Sequence, residues 1–390
     1  MEHVLISGMS CRAAAESAAR TGFRVTALDA FADLDQHPAV QALSVTRDFD
    51  AAPTAVAMAQ AAARVTADAV CYLSPFENHP RAVSVLAAGR ALWGNSAATL
   101  RRVRNPFELR DVLSRNGFVV PRLTNDPNGS NDSNISTAWL RKPLRSGGGS
   151  RIRHWSGEPL PRTSYVQERI DGVPGSILFV AADGQCVPLG LSRQLVGDAN
   201  FGATGYRYCG SILAPLIDPQ FAHGHALFAG ATALARCLAS EFRLVGINGL
   251  DFIARDGVPY PVEVNPRWSA SVEVAERALG MRFFAAHAGA CRTGELPAFD
   301  LATSLRDAPV VGKAVVYARQ SGTMSDTRLW LEDPAVRDVP RTGEFFRAGQ
   351  PICSVFAVAR DSESCYRDLV ARAECVYSGM SATSHAARPS

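Results

Sequence analysis

The sequence predicts a mixed chain, α/β at its start and α+β after it. Three observations carry this reading. Val4-Leu5-Ile6 is a short apolar strand, an alanine-rich helix runs from about Cys11 to Thr21, and Phe23–Leu28 is a second strand closing on Asp29. A strand–turn–helix–strand opening builds an open parallel sheet. Farther on, Ile177–Ala182 and Val187–Leu191 flank Asp183-Gly184, and Leu250–Ile253 and Pro259–Asn265 flank Arg255-Asp256-Gly257, so antiparallel hairpins follow. The third observation is length: 390 residues exceed one ordinary core, and two or three domains are expected.

Composition narrows the function. An apolar share of 47% with 20% charged residues is that of a soluble globular protein. The net charge of +3 is small, and no basic run carries interleaved aromatics, so nucleic acid is not an expected partner. No apolar run reaches membrane-spanning length, and no secretion signal is seen at the start. Nine dispersed cysteines, without a CxxC pair or a His/Cys cluster, read as reduced thiols in a cytoplasmic protein. No Ser-His-Asp or Cys-His arrangement stands out.

In the parallel domain, Ser7-Gly8-Met9-Ser10 is not a GxGxxG, so it gives no strong dinucleotide signal. Ala67–Leu73 is a strand and Ala82–Leu92 a helix. Ser74–Asn78 follows the strand's carboxyl end, where such sheets place ligand loops, so Glu77 and His79 are substrate candidates; a plain surface loop is the alternative. Leu100–Asn116 is a basic helical stretch interrupted by Pro106, and Phe118–Pro121 is a strand. Asn125–Thr137 reads as a loop or mobile insert. In Trp139–Ser150 a strand delivers Lys142 to a turn, Ser146-Gly147-Gly148-Gly149-Ser150. Glycines let backbone amides approach phosphate oxygens, and Lys142 adds a point charge there. No GK[ST] follows, so this is not a Walker loop. A second glycine-rich stretch is Asn200–Gly205, and a helix spans Phe221–Glu241 with His223 and His225 as ordinary helix residues.

The hairpin 250–265 holds the densest polar pattern. Glu263, Asn265 and Arg267 alternate and share one face, with Val262 and Val264 on the other. A carboxylate, an amide and a guanidinium on one face are costly to bury unpartnered, and they suit a hard cation with phosphates. A two-residue Asp256-Gly257 loop would put Asp251 opposite Val262, on the wrong face. A three-residue loop, Arg255-Asp256-Gly257, places Asp251 opposite Pro261 and diagonal to Glu263, roughly 7 Å away. The plainer alternative is an edge hairpin with a solvated polar face.

Taken in order, these pieces resemble the ATP-grasp superfamily. Lys142 and the SGGG turn resemble its small-subdomain lysine and glycine-rich lid. Gln167-Glu168-Arg169-Ile170, followed by Asp171-Gly172, resembles the hinge that holds adenine. Asp251 and Glu263-Val264-Asn265-Pro266-Arg267 resemble the family's metal and phosphate motif, E-x-N-x-R. The resemblance covers about Arg102 to Arg292. Gly312–Arg319 and Gly343–Val358 resemble the small C-terminal β domain of its biotin-carboxylase-like branch. It implies an ATP-grasp fold with an N-terminal open parallel α/β domain (1–100), a grasp domain (101–300, lid subdomain about 122–192), a C-terminal β-rich domain (301–378) and a loose tail (379–390).

The resemblance also implies chemistry. ATP binds between the halves of the grasp domain, with Mg²⁺, or Mn²⁺ in its place, on Asp251, Glu263 and Asn265. Arg267 and Lys142 act on the transferring phosphoryl group. Ser146, Gly147, Gly148, Gly149, Gln167, Glu168, Arg169 and Ile170 contact the nucleotide. Arg193, Ser269, Ser271 and Glu77 are candidates for a small carboxylate and its amine partner. Homodimers are common in the family. Two departures stand out. The family's helix-start lysine falls near Pro106, with Arg104 and Arg110 the nearest bases, and no acid follows the hinge to hold a ribose. Three functions follow: a carboxylate–amine ligase working through an acyl phosphate, a bicarbonate-using carboxylase, or a nucleotide-binding regulatory protein without turnover.

Overall fold

A computed structural model describes residues 1–125 and 139–382. The insert expected at 125–137 falls almost wholly outside these residues. Four sheets organise the chain. The first is parallel, in the order Val40–Ser44, Arg24–Asp29, His3–Ser7, Ala69–Tyr72, Ala91–Trp93. The helix expected over Ala82–Leu92 stops at Leu86. Gly89, at φ 73°, turns the chain into the fifth strand. The basic helical stretch is interrupted where expected: one helix, Ala97–Val103, ends before Asn105, and Pro106 starts the next. Asn105 caps it, its Oδ1 accepting from the Phe107 and Glu108 amides, and proline sits at its first position. Phe118–Pro121 is not a strand; the short strand lies just beyond, at Leu123–Thr124.

The second sheet is antiparallel and has eight strands. Its order is Val258–Asn265, Gly246–Arg255, Val173–Ala182, Gln185–Val196, Tyr208–Leu213, Val310–Tyr317, Pro351–Ala359, Val336–Arg337. The ladder from Tyr208–Leu213 to Val310–Tyr317 runs straight into the C-terminal region. Val173–Ala182 is buried on both faces. Ile177, Phe179 and Ala181 pack towards the helix Gly224–Phe242, and Leu178, Val180 and Ala182 join the core of the helices Ala270–Leu279 and Phe284–Arg292.

The third sheet is small and separate: Leu123–Thr124, Ser164–Glu168, Trp139–Pro143, Arg153–His154. The fourth joins Phe345–Phe346, Gly322–Met324 and Met380–Ala382, so the segment read as a tail begins with a paired strand. All nine cysteines are free. No helix among the described residues is long and apolar enough to cross a membrane.

Candidate functional site

The hairpin corrects the expected register. Its turn has two residues, Asp256 (φ 51°) and Gly257 (φ 77°), between the paired Arg255 and Val258. Both are left-handed, as a tight hairpin requires. Phe252 pairs with Pro261, yet Asp251 pairs with Glu263, so Val262 is an extra, bulged residue. The bulge moves Glu263 onto the face of Asp251, directly opposite it and not diagonal. It also frees the Val262 carbonyl, which accepts from Lys142 Nζ at 3.2 Å.

This hairpin forms one wall of a cavity of about 680 Å³. Asp251 accepts from Gln194 Nε2 and from Asn265 Nδ2, both at 2.9 Å. Burial, and then the Glu263 charge, push the Asp251 pKa up to about 6. Two carboxylates on paired residues, beside an amide oxygen, fit a divalent cation. Among the described residues no three or more His, Cys, Asp and Glu side chains form a ready cation cage. A magnesium ion held here would draw its other oxygens from phosphate or water.

A polar row continues across the sheet. Asp251 pairs with Ser176, Gln194 pairs with Ser211, and Ser211 pairs with Lys313. All five line the cavity. Opposite them, Lys142 is buried and donates to Gln167 Oε1 at 2.9 Å. Gly147, Gly148 and Gly149 form the rim. The turn that carries them is already docked: Tyr208 N donates to Gly148 O at 3.0 Å, and a Cβ on Gly149 would overlap the Tyr206 carbonyl. Gln167 to Ile170, with Asp171 and Gly172, make the next wall. Arg267, Ser269 and Ser271 close it from the start of the helix Ala270–Leu279, the serine hydroxyls 2.8 Å apart.

Five sequence-derived candidates do not line the cavity; one, His79, only precedes the helix Pro80–Leu86. Glu77 lies fully buried behind Arg267, whose Nη2 stands 2.9 Å from its Oε1. That contact is an ion pair without good hydrogen-bond alignment, since both Glu77 oxygens otherwise lack partners. Burial raises the Glu77 pKa, but Arg267 and Arg104 more than reverse this and hold it below its usual range. Arg104 also sits behind the wall. It donates to Glu263 Oε1 at 2.5 Å, Val264 O at 2.8 Å, Asn78 Oδ1 at 3.0 Å and Ser146 O at 2.7 Å. Ser146 is held by that contact and does not line the cavity. Arg193 points to the opposite face of its strand, its guanidinium 6.0 Å from the Tyr366 ring. Its neighbour Gln194 is the cavity residue, which strand alternation allows but does not choose. Arg110, the other base near the missing lysine, pairs with Asp111.

Residues 103–271 match the ATP-grasp domain family. The match covers less than half of the chain. Several solved enzyme structures share the whole-chain fold. An L-amino acid ligase from Bacillus licheniformis superposes with a TM-score of 0.65 at 17% identity, covering 98% of this chain and 99% of the other. The biotin carboxylase domain of Hydrogenobacter thermophilus 2-oxoglutarate carboxylase gives 0.71 at 14%, covering 98% and 90%. N5-carboxyaminoimidazole ribonucleotide synthetase from Thermotoga maritima gives 0.63 at 14%, covering 96% and 98%. At these identities the likeness is one of fold. No curated protein sequence matches significantly. The matched segment holds the hairpin, the glycine turn and Gln167–Ile170; Lys313 and Asp338 also line the cavity and lie outside it.

Proposed function

We propose that this chain is an ATP- and Mg²⁺-dependent carboxylate–amine ligase. The observation that carries the reading is the bulged hairpin, which sets Asp251, Glu263 and Asn265 on one cavity wall facing Lys142 and the glycine turn. Asp251, Glu263 and Asn265 would hold the magnesium, which would supply charge neutralisation at the phosphates.

The chain's own residues do the rest. Leu140, Ile152, Pro174 and Ile253 offer an apolar slot beside the backbone of Gln167–Ile170 for a purine. Lys142 and the amides of Gly147–Gly149 hold the phosphates. Arg267, fixed by Glu77 and by the Trp268 carbonyl at 3.0 Å, meets the charge on the transferring phosphoryl group. A substrate carboxylate oxygen attacks the γ-phosphorus and ADP leaves. An amine then attacks the acyl carbon, and inorganic phosphate leaves with the C–O electron pair. No protein nucleophile takes part, and positioning with charge stabilisation supplies the catalysis. Arg104 is a positioning residue that ties Glu263 to Ser146 of the glycine turn. We include in the proposal a homodimer, as for the Hydrogenobacter domain, which was solved as a dimer.

The test is Glu263→Gln, assayed for ADP release with Mg²⁺, candidate carboxylates and hydroxylamine as a general amine. The variant should stay folded and lose most turnover; near-normal turnover in the folded variant would overturn the assignment. The Hydrogenobacter domain was solved with MgADP and bicarbonate, which favours a carboxylase as the second reading. A strict bicarbonate requirement for ADP release would select it.

A further inference from the structure

One end of the cavity carries a cation and an anion that the phosphate chemistry does not use. Lys313 Nζ donates to Glu273 Oε2 at 2.7 Å and stands 3.7 Å from Asp338 Oδ2, beyond hydrogen-bond distance. Arg12, fully buried behind them, donates to both Glu273 oxygens at 2.7 and 2.8 Å and to Asp338 Oδ1 at 2.8 Å. Arg12 therefore neutralises the back of the cluster. Lys313 keeps spare donors; the Asp338 carboxylate, which Ser354 also approaches, keeps lone pairs beyond those that Arg12 uses, and both residues line the cavity. Asp338 is also fixed in place: its own amide and that of Val339 donate to Asp35 at 3.1 and 2.9 Å. An opposed pair with free capacity on each side matches a ligand head that carries an anion and a cation on neighbouring atoms.

Distance sets the size of that ligand. Glu273, which holds Lys313, lies two residues after Ser271 and four after Ser269, about 3 and 6 Å along the helix axis, so the Lys313–Asp338 end and the serine pair beside Arg267 are one helical turn apart or less. A small amino acid can reach from one to the other. Met9, Ala13 and Ala14 line the same cavity and add apolar surface without charge.

We infer that the Lys313–Asp338 end binds the zwitterionic head of an acidic α-amino acid, Lys313 taking the α-carboxylate and Asp338 the α-ammonium. An ammonium held by Asp338 stays protonated and is not a nucleophile. The group that reaches Arg267, Ser269 and Ser271 is then the side-chain carboxylate, which is the one activated. The inference rests on the ligase reading and names its carboxylate substrate.

The experiment uses the full chain with Mg-ATP and hydroxylamine, which converts an acyl phosphate to a hydroxamate with release of phosphate. L-glutamate and L-aspartate are compared with N-acetyl-L-glutamate, glutarate and L-glutamine. The expected result is side-chain hydroxamate from one or both acidic amino acids, and at least about tenfold less from the three analogues, the scale of one lost charged hydrogen bond. Asp338→Asn should raise KM for the amino acid by about tenfold or more, with KM for ATP nearly unchanged. The ligand series on the native chain stands even if that variant fails to fold. Equal use of glutarate or N-acetylglutamate overturns the inference, as does hydroxamate from other carboxylates alone. A thermal shift with Mg²⁺ and a non-hydrolysable ATP analogue separates the two levels. If the shift occurs while the acidic amino acids fail, only the substrate is wrong. If it is absent, the ligase reading falls, and this inference with it.

Discussion

Glu77→Gln tests how the central arginine is held. The change removes one charge and keeps the shape. Glu77 is 0% exposed, and its Oε1 lies 2.9 Å from Arg267 Nη2. At an effective dielectric of about 20, that separation corresponds to about 6 kcal/mol of attraction. A glutamine carbonyl keeps part of it, and glutamine costs less to bury than a carboxylate. The expected loss is about 3 kcal/mol, the lower end for breaking a buried pair. Arg267 would keep the Trp268 carbonyl, a 3.4 Å contact to Asn265 and the weaker pull of the glutamine carbonyl, so its tip should drift. A drift of about 1 Å costs about 10²-fold in turnover, while ATP binding should change little. Urea unfolding followed by tryptophan fluorescence gives the stability, and ADP release gives the turnover. Glu241→Gln, which breaks a surface pair with Arg115, is the control and should leave the midpoint unchanged. A Glu77→Gln protein with wild-type midpoint and wild-type turnover would refute the bracket.

Arg267→Lys keeps the charge but loses the planar fork, so turnover should fall about 10²-fold with nucleotide binding less affected; equal losses in both would make Arg267 a ground-state phosphate ligand. Gly148 sits at φ 59° with open space around a Cβ, so Gly148→Val should lower the unfolding free energy by about 1–2 kcal/mol through backbone strain alone; an unchanged unfolding free energy would mean that the turn is not left-handed in solution. Burial lowers the His287 pKa to about 4, below its ordinary 6.5. The unfolded chain takes up this proton first, so stability is full above about pH 6.5 and falls by up to about 3 kcal/mol as pH drops towards 4. Asp29, Asp251 and Glu276, raised to about 6, about 6 and about 7, slope the opposite way over this range, so the test is the difference between proteins: between about pH 7.5 and pH 5 the wild type should lose about 2 kcal/mol more than His287→Asn, and parallel profiles would contradict it.

The sequence shows the chemistry of the hairpin but not its register. Asp251, Glu263 and Asn265 are legible because alternation is local. The bulge is not, because Val262 is as apolar as its neighbours, and the partner of its freed carbonyl is Lys142, remote in sequence. The helix end at Leu86 was open to view in Gly89, a stop signal inside a run of good helix formers. Arg193 and Gln194 could not be ranked without knowing which face meets Tyr366 of the helix Ser362–Ser378. Arg104 and Glu77 were seen as charges near a ligand. Their partners, Glu263 and Arg267, come from distant segments and turn both into supports behind the wall. Lys313 and Asp338 carried no local pattern, because their common purpose exists only once the large sheet runs through into the C-terminal region.

That sheet also decides what can pivot. The strand of the small sheet ends at Glu168, and the first long strand of the large sheet starts at Val173. The four residues between them, Arg169 to Gly172, belong to neither sheet, and they line the cavity. An occupant of the cavity therefore touches the connection between the two sheets. Reciprocity follows: whatever setting of the small sheet an occupant prefers, imposing that setting by other means tightens the occupant by the same factor. A cross-link placed far out on the small sheet, touching no ligand, would then be felt as a change in affinity.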